Sequence, residues 1–159
     1  MAETATPEAV FESTVAVLES MCGISSASGD GRGLLRMAAV LAAELAPFGF
    51  SSEVRDECGS DGLPQPLLIA RGPRCGDGFV LLIGHLDTVL PAVPPTRNGN
   101  RFIGTGALDM KGGFVALVAA LELLSNRGEV PPADMLVVAV PDEEAEGRVS
   151  EMAARHFSS

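Results

Sequence analysis

The spacing of apolar residues divides this chain into helices and strands before any other property is considered. Between Pro7 and Cys22, Phe11, Val15, Leu18 and Cys22 recur at i, i+4, i+7 and i+11, one stripe of an amphipathic helix, and Gly23 ends it. A second helix is expected over 33–48, with Leu34, Met37, Ala38, Leu41, Leu45 and Phe48 on one face and Pro47 and Gly49 at its close. Residues 51–56 and 67–70 read as strands around a loop rich in Gly, Asp and Pro. Phe79-Val80-Leu81-Leu82-Ile83 is a continuous apolar run bounded by glycine, the pattern of a strand buried on both faces. Asn98-Gly99 signals a hairpin turn, with residues 101–103 as the returning strand. Residues 111–127 form a helix apolar on most sides, deepest at Phe114, Leu117, Val118, Leu121 and Leu124 and capped by Gly128. Residues 135–140 make a second wholly apolar strand, and 149–157 a last helix.

Two apolar strands separated by a helix imply a right-handed parallel crossover. The expected class is therefore α/β, a three-layer α/β/α arrangement around a mixed, largely parallel sheet. A length of 159 residues suits one domain with its own core. With seven Phe and no Tyr or Trp, that core must be built from aliphatic residues and Met. The net charge of -10, with Lys111 the single lysine, argues against a nucleic-acid partner, because phosphate binding needs clustered cations. Three cysteines, an odd number without CxxC spacing, argue against a disulfide framework and point to a reducing cytoplasm. The acidic, polar start lacks the pattern of a secretion signal, and no apolar run approaches the ~20 residues that would span a membrane.

Three short runs carry the candidate chemistry: His85-Leu86-Asp87-Thr88-Val89, the segment Gly104-Thr105-Gly106-Ala107-Leu108-Asp109-Met110-Lys111-Gly112-Gly113, and Pro141-Asp142-Glu143-Glu144. The first and third follow the two apolar strands, and the second leads into the central helix. All three thus fall at the carboxyl edge of the sheet, where open α/β folds build their sites. Imidazole nitrogen and carboxylate oxygen are zinc donors. Asp87, two residues after His85, can receive the second imidazole N–H and fix the ring. Asp109 is the candidate to bridge two metals, and of the adjacent glutamates one can bind metal while the other accepts a proton from water. Taken singly, each run has a plainer reading: a solvated HxD triplet, an aspartate complementing a helix dipole, and a solvated acidic turn. Their ordered occurrence at strand ends is what favours a site.

These runs resemble metallopeptidase family 20, which includes glutamate carboxypeptidases, aminoacylases, acetylornithine deacetylase and succinyl-diaminopimelate desuccinylase. Upstream, Ser28-Gly29-Asp30 and Leu45-Ala46-Pro47-Phe48-Gly49-Phe50 are similar to the family's N-terminal region. The resemblance implies a zinc-exopeptidase-like fold, of which these residues form the N-terminal portion of the catalytic domain. It implies that His85 binds one zinc, Asp109 bridges both and Glu144 binds the other, with Co or Mn also accepted. Glu143 is then the general base, Asp87 orients His85, and the peptide bond after Asp109 is cis. The implied reaction is hydrolysis of an amide near a free carboxylate, in a small peptide or an N-acyl amino acid. One departure stands out: Ala145 and Glu146 both separate Glu144 from Gly147, where the family has one residue.

Family members are more than twice this length. Their further acidic ligand, final His ligand and inserted lid, which serves dimerisation in the full-length form, have no counterpart in these residues. A chain of this extent is therefore expected to be a weakly active or inactive portion of a hydrolase. The alternative is a non-catalytic product that acts as an interaction module or is completed by a second chain. His156 shares a helical face with Val149, Met152 and Ala153 and is expected to be a partly buried structural residue.

Overall fold

A computed structural model describes residues 6–75, 78–131 and 133–157. Helix α1 spans Pro7–Cys22, and α2 spans Gly31–Leu45. Strands β1 (Ser51–Cys58), β2 (Pro64–Arg71) and β3 (Phe79–His85) follow, then a small hairpin of β4 (Thr96–Asn98) and β5 (Arg101–Ile103). The chain ends in α3 (Gly112–Asn126), β6 (Asp134–Val140) and α4 (Arg148–Phe157). The helix starts are written locally. Thr6 caps α1, accepting from the Ala9 N–H, with Pro7 in the first turn, and the Asp30 carboxylate caps α2 by accepting from the Gly33 N–H at 2.9 Å.

The main sheet has the order β1-β2-β6-β3. β3 and β6 run parallel, with His85 opposite Val140, and α3 provides the crossover between them. β1–β2 and β2–β6 are antiparallel, so the sheet is mixed but not largely parallel. The cause is the tight return after Cys58: β1 pairs up to Cys58 opposite Pro64, and so short a connection can only join antiparallel strands. One face of the sheet packs Leu68, Ala70, Val137 and Ala139 against Met21 of α1, the Leu34–Leu45 stripe of α2 and Phe114, Val118 and Leu121 of α3. The other packs Leu67, Ile69, Leu136, Val138 and Val140 against Val149 and Ala153 of α4. That is the expected three-layer arrangement. Among the described residues, no helix is long and apolar enough to cross a membrane.

Three expectations need correction. β3 lies at the sheet's edge rather than inside it, and Phe79 and Ile83 are 63% and 42% exposed. Its apolar run is that of an interior strand, but a parallel neighbour needs another crossover unit, and the described residues hold only one. The α3 face next to it is open as well: Leu82, Ile83, Met110, Phe114, Leu117 and Val137 line an apolar hollow of about 270 Å³. α1 buries Val10, Met21 and Cys22 and packs Leu18 against the core, so the expected stripe holds at Leu18 and Cys22 but not at Phe11, which is exposed. Phe11 instead faces Arg97 of β4, whose guanidinium lies 6.0 Å from its ring centre and pairs with Glu12. Finally, His156 is exposed, its ring edge-on to Phe157. Val149, Ala153 and Phe157, at i, i+4 and i+8, take the packing face of α4 and leave His156 outside it.

Candidate metal centre

The parallel register of β3 and β6 sets the site. It brings His85, the last residue of β3, level with Val140, so the Asp142-Glu143-Glu144 turn leaves the sheet beside the imidazole. His85 is 7% exposed and Asp87 1%. The His85 Nδ1 lies 3.0 Å from the Asp87 carbonyl and 3.3 Å from its carboxylate, both acceptors, so Nδ1 carries a proton and Nε2 points to the cluster. Nε2 is 3.0 Å from Asp109 Oδ1 and 3.9 Å from Glu143 Oε2. Ligand atoms of His85, Glu143 and Glu144 all lie within 4.8 Å of one another. Asp109 meets this group through His85.

Asp87 holds the site together from beneath. Its carboxylate accepts from the Glu143 and Glu144 backbone N–H groups at 3.2 and 3.0 Å, and from the Ser28 hydroxyl at 2.7 Å. Burial alone would raise its pKa, but the bonds to His85, Ser28 and the Glu144 N–H outweigh that and hold it below the usual aspartate value. Burial would likewise lower the pKa of His85, yet its bonds to Asp87 and Asp109 win and raise it to about 9. Ser28 is held in turn by its own N–H on the Thr88 carbonyl, in a short bridge between Ala27 and Thr88.

The second run forms a kinked turn, Ala107–Lys111, containing a cis peptide bond between Asp109 and Met110, as the resemblance implied. Met110 Sδ accepts from the His85 backbone N–H at 3.0 Å, which ties this turn to the end of β3. In the third run, Asp142 is drawn away from the cluster. Its carboxylate caps α4, accepting from the Val149 and Ser150 N–H groups and the Ser150 hydroxyl. The long connection to Gly147 is absorbed between that cap and the left-handed turn at Gly147, with φ of 65°.

All five candidate residues, His85, Asp87, Asp109, Glu143 and Glu144, therefore come to one place. Ser28, Met110 and Lys111 also build the site, and sequence reasoning gave them no role there. Ser28 had a signal, since Ser28-Gly29-Asp30 is similar to the family's N-terminal region. Met110 and Lys111 lie inside the second run, where Lys111 reads only as the start of the central helix and Met110 has no distinguishing signal. The three cysteines are free, with Cys22 buried and Cys58 exposed, and all lie outside this cluster.

Residues 81–158 match the model of peptidase family M20/M25/M40. Acetylornithine deacetylase of Vibrio cholerae serotype O1 is 32% identical over 154 residues, covering 89% of this chain and 38% of that protein. Carboxypeptidase G2 of a Pseudomonas species is 27% identical over 135 residues, covering 82% of this chain and 32% of that protein. Human carnosine dipeptidase 1 superposes with a TM-score of 0.78 at 25% identity, over 91% of this chain and 35% of that one. The chain thus spans about a third of the length of each of these relatives. The matched segment contains His85, Asp87, Asp109, Glu143 and Glu144, and the fold around them is shared over nearly the whole chain. By motif, fold and sequence together, this chain belongs to the M20/M25/M40 family of peptidases and amidohydrolases.

Proposed function

We propose that these residues are the zinc-binding portion of a hydrolase that cleaves an amide next to a free carboxylate, a C-terminal peptide bond or an N-acyl amino acid. The observation that carries this reading is the convergence of Asp109 and Glu143 oxygens on His85 Nε2, whose ring is oriented by Asp87. One imidazole nitrogen and several carboxylate oxygens fit zinc, and the same donors accept cobalt or manganese. His85 would hold one zinc, Glu144 a second, and Asp109 both. When bound, the metals supply Lewis-acid polarisation of the scissile carbonyl and of the attacking water. Glu143, with its side chain 56% exposed, takes the proton from that water on its carboxylate and passes it to the leaving amine. Asp87 keeps the His85 Nδ1–H in place. The three free thiols accord with a cytoplasmic setting.

Metal binding tests this directly. A zinc ligand must be deprotonated, and His85 in the metal-free chain holds its proton up to about pH 9. Zinc affinity is therefore expected to rise about tenfold per pH unit toward pH 9 and then level off, with about one proton released per zinc at neutral pH. Calorimetry in buffers of different ionisation heat measures that proton. His85→Ala should abolish the dependence, whereas Glu143→Gln should keep zinc and lose any residual hydrolysis of N-acyl amino acids. Binding that ignores both pH and His85→Ala overturns the reading.

A second reading, a chain completed by association, has the open edge of β3 behind it. β1, the opposite edge, is charged with Glu53, Arg55, Asp56 and Glu57, whereas β3 presents Phe79, Val80 and Ile83. Natural edge strands are blunted by charge, and β3 is not. Concentration-dependent association by analytical ultracentrifugation, suppressed by Val80→Lys, is the expected result. A monomer at all concentrations removes this reading.

A further inference from the structure

Lys111 is the one lysine of the chain, and it is 1% exposed. Among the described residues no carboxylate pairs with it. Its Nζ donates to the carbonyls of Met21 at 3.0 Å and Ile24 at 2.9 Å, the chain just at and beyond the end of α1. The carbonyl end of a helix carries partial negative charge, which suits an ammonium. Burying a cation without a counter-ion is nonetheless costly, and an apolar side chain of the same length would fill this space at less expense.

The backbone around Lys111 shows what that ammonium holds. The Lys111 N–H donates to the Gly106 carbonyl at 2.8 Å, and the Gly112 N–H reaches Ala107, so the turn carrying Asp109 closes on itself. The lysine stem lies directly over Gly106, where an added Cβ would stand 3.2 Å from Cδ and Cε and where φ is +75°. The turn is a compact unit with two anchors: the Met110 thioether on β3 and the Lys111 ammonium on α1. The Asp109 side chain is 72% exposed, and among the described residues it pairs with His85 Nε2 at 3.0 Å.

We propose that Lys111 is a positioning residue, which sets the Asp109 carboxylate against His85 Nε2 by locking the 106–112 turn to the end of α1. The consequence for metal rests on the reading of the site as a zinc centre, but the hydrogen bond it secures exists without metal. The chain has two histidines, so the imidazole resonances of the metal-free protein resolve His85 from His156.

Those nitrogen-15 and proton resonances should be compared across four proteins: wild type, Lys111→Met, Asp109→Asn as the benchmark for a lost carboxylate contact, and Val118→Ala as a control that loosens α3 elsewhere. Lys111→Met should shift the His85 Nε2 signal toward its position in Asp109→Asn, while Val118→Ala leaves it in place. Zinc affinity of Lys111→Met should fall by about tenfold or more, the usual cost of losing a supporting contact to a ligand. If Lys111→Met does not fold, Lys111→Gln, whose amide keeps two N–H donors for the α1 carbonyls on a shorter stem, should move the signal the same way by less. An unmoved His85 signal in the folded variant overturns the assignment. Failure of the wild-type chain to bind zinc sinks the functional reading instead and leaves the resonance comparison decisive for Lys111.

Discussion

Asp87→Ala is expected to lower the stability of the metal-free chain by about 3–5 kcal/mol, the usual cost of removing one partner from a buried charged pair. Three groups lose their acceptor at once: the Ser28 hydroxyl and the Glu143 and Glu144 N–H groups, while the Nδ1–H of His85 keeps the Asp87 carbonyl at 3.0 Å. The backbone donors are the decisive ones, because they fix the turn that carries both glutamates. Zinc affinity should fall 10–100-fold, as when other supporting partners of metal ligands are removed. An opposing effect is built in. Asp87 helps to raise the pKa of His85, so its loss lowers that pKa and moves the rise of zinc affinity to lower pH. Urea denaturation without metal reads the first effect, and zinc titration across pH separates the other two. Unchanged stability would mean that Asp87 is not the support described here.

Gly33→Ala should destabilise the fold through the opposite wall of the site. A Cβ at Gly33 would stand 1.9 Å from the Ser25 carbonyl oxygen and 2.6 Å from Asp30 Oδ2. The first is backbone and cannot swing aside, so α2 or the 25–30 loop must move. Overpacking of this kind costs ~3 kcal/mol, and alanine returns ~1 kcal/mol of helix propensity. The net of roughly 2 kcal/mol corresponds to a fall in Tm of about 4–8 °C for a domain of this size. Gly31→Ala, two residues earlier, meets only the Pro64 carbonyl at 3.9 Å and serves as the control, with Tm unchanged or slightly raised. The displaced loop includes Ser28, so the metal site should register the change even though Gly33 touches no ligand.

The helices and strands were legible because their apolar spacing is written residue by residue. α1 was located to the residue, and each strand within a few positions, since Gly23 and turns such as Asn98-Gly99 are local signals, whereas the Asp30 cap was not recognised and α2 starts two residues before the expected Gly33. The five acidic and imidazole candidates were legible for a related reason: strand ends and topology put them at one edge. What was hidden depends on neighbours far along the chain. The start of the buried stripe of α1 was assigned to Phe11 because Val10 and Phe11 are both apolar, and only the tertiary packing of α1 selects between them. The position of β3 was hidden because an apolar run states what a strand requires, not what lies beside it. Lys111 does stand at the start of α3, but the role of its side chain was hidden, since its partners, Met21 and Ile24, lie at the end of another element.

The seclusion of Lys111 also determines how this protein meets amine chemistry. A folded chain with one lysine, and that one sealed beneath a turn, offers acylating reagents and cross-linkers no ε-amino group on its surface. Modification at Lys111 then becomes a clock for the parting of α1 from the turn that bears Asp109. The same residue that braces the site thus reports, by its reactivity, each time the brace lets go.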